Sequence, residues 1–130
     1  MTTTCYEIVT NKVENPQEVD AKRSTAQTAQ VSSLNTGNGI EIGRFRLKPG
    51  VEESNMRSVY RQMVESHLAL QPGWKSQHLV SLGDGVFVDL AFADNQASAK
   101  AICASWQGQA VCDAFLSLIE PISMEFGSLG

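Results

Sequence analysis

The chain has 130 residues, 42% of them hydrophobic and 18% charged, with Lys+Arg 10 against Asp+Glu 14 for a net charge of -4. A domain of this size buries roughly two-thirds of the surface its unfolded form exposes, so one ordinary core forms without metal or disulfide staples. The acidic balance, without any Lys/Arg run, argues against a nucleic-acid partner, and no apolar run approaches the roughly 18 residues of a membrane span.

The opening Met1-Thr2-Thr3-Thr4 has neither the basic nor the hydrophobic region of a signal peptide, so the expectation is a soluble cytoplasmic protein with no membrane partner. Residues 6–13 (YEIVTNKV) are short and rich in β-branched residues, as in a strand. Asn15, Pro16 and Glu18 then have the spacing of a capping box with proline at the first helical position. Beyond that helix start, residues 24–38 carry only Val31 and Leu34 as large apolar side chains, and 30–39 read as a linker. Residues 1–39 are thus a strand-helix extension, and 40–130 form the main domain.

Residues 40–47 (IEIGRFRL) read as a strand closed by Lys48-Pro49-Gly50. Met56, Val59, Tyr60, Met63, Val64, His67 and Leu68 follow the helical apolar spacing, so an amphipathic helix should end before Pro72-Gly73. Residues 74–82 and 86–92 flank Gly83-Asp84-Gly85 and should pair as a hairpin, the second strand being apolar on both faces. Asp94-Asn95 can cap a helix from Gln96 to about Trp106. A second helix from Ala110 should stop at Pro121, leaving residues 122–126 (ISMEF) as a short last strand. The order strand, helix, strand, strand, helix, strand is that of a ferredoxin-like α+β fold, a split βαβ with both helices on one face of an antiparallel sheet. The uncovered apolar face calls for a second copy, a two-fold homodimer, unless the N-terminal strand and helix cover it. A faint internal repeat sets Tyr6-Glu7-Ile8 on Ile40-Glu41-Ile42, Glu18 on Glu52 and Arg23-Ser24 on Arg57-Ser58.

Within 40–126, the stretches RFRLKPGVEE, LQPGW, VDLAFAD and ASWQGQAVCDAFLSLIEP resemble the antibiotic biosynthesis monooxygenase-like domains of the dimeric α+β barrel superfamily. The resemblance implies a homodimer whose two sheets form a shared barrel, with a small-molecule pocket between helices and sheet in each subunit. It also implies, as one activity of that superfamily, cofactor-independent oxygenation of aromatic or quinol-type substrates. The haem-degrading branch resembles this chain at Trp106, but its histidine and asparagine fall on Leu116 and Gly43, so no haem is expected.

Among candidate residues, His67 continues an apolar helical stripe and should point at the sheet. Its kind of side chain, with an ordinary pKa of about 6.5, serves as a general base at neutral pH, or else as a core histidine bonded to a carbonyl. His78 alternates with Trp74, Ser76, Val80 and Leu82, as a second catalytic candidate or an interface histidine. Asp89 lies among Phe87 and Ala91, so it is either paired with Arg44 or Arg46 or exposed to a cavity. Tyr60, Trp74 and Trp106 offer flat surfaces for an aromatic ligand or for core packing. The histidines lack a carboxylate at ligand spacing, so no metal is expected, and no phosphate loop or serine elbow is present. Cys5, Cys103 and Cys112, odd in number and without CxxC spacing, read as buried free thiols.

Overall fold

A computed structural model describes residues 34–130. The N-terminal strand, the capped helix and the first copy of the internal repeat lie outside the described residues. Within them the chain is an α+β fold, a four-stranded antiparallel sheet with three helices. In chain order the elements are β1 (Gly39–Leu47), α1 (Glu53–Ser66), a 3-10 turn (Leu68–Leu70), β2 (Trp74–Ser81), β3 (Val86–Ala93), α2 (Gln96–Ala104), α3 (Ala110–Leu116) and β4 (Ile119–Ser128). The strands lie side by side as β2-β3-β1-β4, every neighbour antiparallel.

Alternation along β1 decides which residues meet the helices. Gly39, Glu41, Gly43 and Phe45 are buried, while Ile40, Ile42, Arg44 and Arg46 turn the other way. On β3 the helix-side residues are Phe87, Asp89, Ala91 and Ala93, and the register sets Asp89 across from Gly43. The core joins Phe45, Phe87 and Leu79 of the sheet to Met56, Tyr60, Met63 and Val64 of α1, and to Ile102, Trp106 and Phe115 from the second helical region. Phe115 is its hub, edge-on to Phe45 at 5.5 Å, to Tyr60 at 5.5 Å and to Trp106 at 6.3 Å, the edge-to-face geometry that aromatic quadrupoles favour. On the opposite face, Ile40, Ile42, Val88, Leu90 and Phe92 take no part in this core.

Three expectations need correction. Pro121 does not end a helix. Helix α3 stops at Leu116, and β4 already begins at Ile119 and runs through the proline. Among the described residues β4 is an edge strand paired only with β1, so a residue without an N–H is tolerated there, and the ladder shifts register as it passes Pro121. His67 is not part of the helical stripe, because α1 ends at Ser66 and His67 has left helical geometry with φ -136°. Cys103 is disulfide-bonded rather than a free thiol; residue counts and spacing test for frameworks and metal sites, not for a single bridge. No helix among the described residues is long and apolar enough to cross a membrane.

Glycine is required where β1 meets the start of α2. A side chain on Gly39 would collide with the Asn95 backbone carbonyl, while Asn38 Nδ2 donates to the carbonyl of Asp94 at 3.0 Å. Gly73, at φ +86°, turns the chain into β2 hard against Ser98, and its carbonyl accepts from the Asp94 N–H at 2.8 Å. Together these contacts fix the N-terminal end of α2 against the entry to β2.

Candidate functional site

Two polar constellations stand out, one inside the helix-sheet interface and one at its rim. The interior one centres on Asp89, which is fully buried. Tyr60 of α1 donates its hydroxyl to Asp89 Oδ1 at 2.8 Å. The Gln77 amide of β2 donates to Oδ1 at 3.0 Å and approaches Oδ2 at 3.3 Å. Trp74 Nε1 donates to Gln77 Oε1 at 2.9 Å, which fixes the amide so that its NH2 faces the carboxyl. The order Trp74 to Gln77 to Asp89, met by Tyr60, satisfies groups that would be costly to bury alone.

A second carboxyl shares the space. Glu41 is 1% exposed and sits on the helix side of β1, two residues before the glycine opposite Asp89. Burial lifts its pKa from 4.5 to about 8. Asp89 is also raised well above the carboxylate range, first by burial and then by the nearby Glu41 charge, while the bonds from Gln77 and Tyr60 pull it back down. Residue spacing alone did not single out Glu41 or Gln77. Their signal was strand parity, since Glu41 shares a face with Phe45 and Gln77 with Leu79. The proposed pairing of Asp89 with Arg44 or Arg46 does not occur, because those arginines alternate onto the other face. Arg44 binds Glu125 there at 2.9 Å, and Arg46 reaches the carbonyl of Asp84.

At the rim, His67 caps α1 and is half-buried. Ser105 Oγ donates to the Ile102 carbonyl at 2.6 Å, so the serine proton is committed there. The 3.0 Å contact between Ser105 Oγ and His67 Nε2 therefore has the imidazole as donor, which leaves Nδ1 as the ring's acceptor. This tautomer excludes an activated serine, whose proton would have to face the imidazole. Gln71 Nε2 donates to the His67 backbone carbonyl at 3.1 Å and stands 3.4 Å from Nδ1. On its other side Gln71 forms one wall of a surface recess of about 390 Å³, shared with Pro72, Asn95, Ala97, Ser98, Ala101 and Ile102.

The candidates drawn from sequence thus separate. Tyr60, Trp74 and Asp89 come together in the interior, joined by Gln77. Trp106 is near them through Phe115, 1% exposed, and its indole N–H has no hydrogen-bond partner among the described residues. His67 lies at the rim with Ser105 and Gln71. His78 stands on the other face of the sheet, edge-on to Phe92 at 5.9 Å with Ser76 Oγ 3.1 Å from Nε2. The register shift at Lys75, between Trp74 and Ser76, turns Trp74 to the helix side and so away from His78. No group of His, Cys, Asp and Glu among the described residues is arranged to hold a metal. Comparison with protein-family models, with curated proteins and with solved structures finds no match.

Proposed function

We propose that the chain is a small-molecule-binding domain of the antibiotic biosynthesis monooxygenase-like kind, acting on an aromatic or quinol-type ligand in the recess beside His67. The observation that carries this reading is that Gln71, whose Nε2 stands 3.4 Å from His67 Nδ1, also forms a wall of the recess. The recess has a ligand-sized volume, an apolar lining of Pro72, Ala97, Ala101 and Ile102, and polar points at Gln71, Asn95 and Ser98. A phenolic hydroxyl displacing the Gln71 amide would give its proton to Nδ1, and the electron-rich phenolate would react with dioxygen. In the balanced reaction the ring C–H and the phenolic C–OH both become C=O, one oxygen atom of dioxygen, the oxidant, enters the ring product, and the other leaves as water with the two hydrogens. No cofactor is invoked.

The ferredoxin-like assignment draws support from the strand order β2-β3-β1-β4, and the dimeric barrel from the apolar face that the core does not use. A cytoplasmic location rests on sequence alone, and the Cys103 disulfide weighs against it, because reducing compartments keep thiols open. The burial of Tyr60, Trp106 and Asp89 favours a second reading, a non-catalytic dimerisation or ligand-sensing domain in which those side chains are structural.

Oxygen uptake with a panel of phenols and hydroquinones, alongside ligand titration by tryptophan fluorescence, separates the two. Catalysis predicts turnover that falls at least 100-fold in His67→Ala, the usual scale of a lost general base. Binding without oxygen uptake, unaltered by that substitution, selects the sensing domain.

A further inference from the structure

His67 is held from two sides by residues that belong to different parts of the fold. It closes α1, where its backbone N–H donates to the Met63 carbonyl at 3.1 Å. Ser105 closes α2, and its hydroxyl folds back onto the carbonyl of Ile102, three residues earlier, at 2.6 Å. A hydroxyl has a single proton, so Ser105 Oγ accepts from His67 Nε2, 3.0 Å away. The second constraint comes from Gln71. Its Nε2 lies 3.1 Å from the His67 carbonyl, which can only accept, and this settles which end of the amide is nitrogen. That nitrogen, a donor, stands 3.4 Å from Nδ1, so the ring has to accept there. At that length it is the weaker contact of the two, yet both select the same tautomer.

We propose that Ser105 is a positioning residue, which holds the imidazole proton of His67 on Nε2 and so keeps Nδ1 as the basic nitrogen on the side of Gln71. Its role in catalysis rests on the oxygenase reading given above; the placement of the proton does not. Ser105 is not part of the recess wall, so it acts through His67. It stands where a catalytic triad has its orienting group, with a neutral hydroxyl in place of a carboxylate.

The consequence for the reaction is that nothing has to rearrange. When Nδ1 takes the proton of a phenolic hydroxyl, Nε2 keeps its own proton and continues to donate to Ser105 Oγ. The bond that orients the ring before the transfer therefore also orients the imidazolium after it. The proton on Nδ1 then departs with the water that the oxygenation releases.

The test is long-range 1H–15N NMR of the imidazoles in the folded full chain at about pH 8.5, above the imidazole range. The chain has two histidines, and His78→Gln leaves the signals of His67 alone. The expected spectrum has a slowly exchanging proton on Nε2 and a bare Nδ1. Ser105→Ala should lose that slow proton, and Ser105→Thr, which keeps a hydroxyl, should retain it. In oxygen uptake with hydroquinone, Ser105→Ala should lower kcat about tenfold, the scale of one hydrogen bond, with KM within about twofold, and Ser105→Thr should recover most of the rate. A proton on Nδ1, equally slow exchange in wild type and Ser105→Ala, or equal kcat in the two would overturn the proposal. Expected spectra without any uptake by the wild-type chain would remove the oxygenase reading and the catalytic role with it, and would uphold the proton placement. Should Ser105→Ala fail to fold, the wild-type spectrum decides by which nitrogen carries the proton.

Discussion

At the scale of single residues, the hydrogen bond from Tyr60 to Asp89 is the most consequential polar contact described. Removing only the hydroxyl keeps the ring edge-on to Phe115 and takes away one of the donors that lower the cost of the buried carboxyl. Tyr60→Phe should therefore cost about 1–3 kcal/mol in urea unfolding at neutral pH. Sequence made part of this cluster legible. Asp89 was conspicuous as a lone charge in VFVDLAF, and Tyr60 as part of an apolar stripe. Their partners were obscured by looking for charge to balance charge. Alternation along β1 sends Arg44 and Arg46 away and brings Glu41 to the face that carries Asp89. That outcome is governed by strand parity, and counting opposite charges does not reveal it.

At the scale of elements, the ends were harder to read than the middles, because ends are decided by partners distant in sequence. The periodic part of α1 buries Met56, Tyr60, Met63 and Val64 as its spacing required, yet the helix stops one residue before His67. The Lys75 register shift reverses Trp74, and β4 absorbs Pro121 because among the described residues nothing pairs with its outer edge. Local signals did suffice at α2. Asn95 has extended geometry, and its side chain accepts from the Ser98 N–H at 2.8 Å, as an N-cap should. Asn95→Ala should destabilise the fold by roughly 1 kcal/mol in denaturant unfolding. Because Asn95 and Ser98 also line the recess, the same substitution should weaken ligand binding there; unchanged affinity would place the ligand elsewhere.

At the scale of the whole molecule, the sheet is the dividing surface between two different environments. Its helix side is covered by α1, α2 and α3 and carries the buried Glu41 and Asp89. On its other side Ile40 and Ile42 of β1 lie beside Leu90 and Phe92 of β3, all four half-buried, with Val88 buried among them and the Arg44–Glu125 ion pair at the margin. An apolar centre with a charged rim is the composition of an association surface, and a stable pair of chains commonly buries roughly 1,200–2,000 Å² in total. A second copy laid face to face would place Leu90, on the central strand β3, near the middle of the buried patch. Placing a cation there removes apolar contact and buries an unpaired charge in the dimer, whereas in a lone subunit the arginine can extend to water. Leu90→Arg should then sediment as a monomer with unchanged circular dichroism while the wild-type chain sediments as a dimer. A wild-type monomer at high concentration would remove the barrel, and with it the strongest structural reason for comparing this chain with dimeric oxygenases.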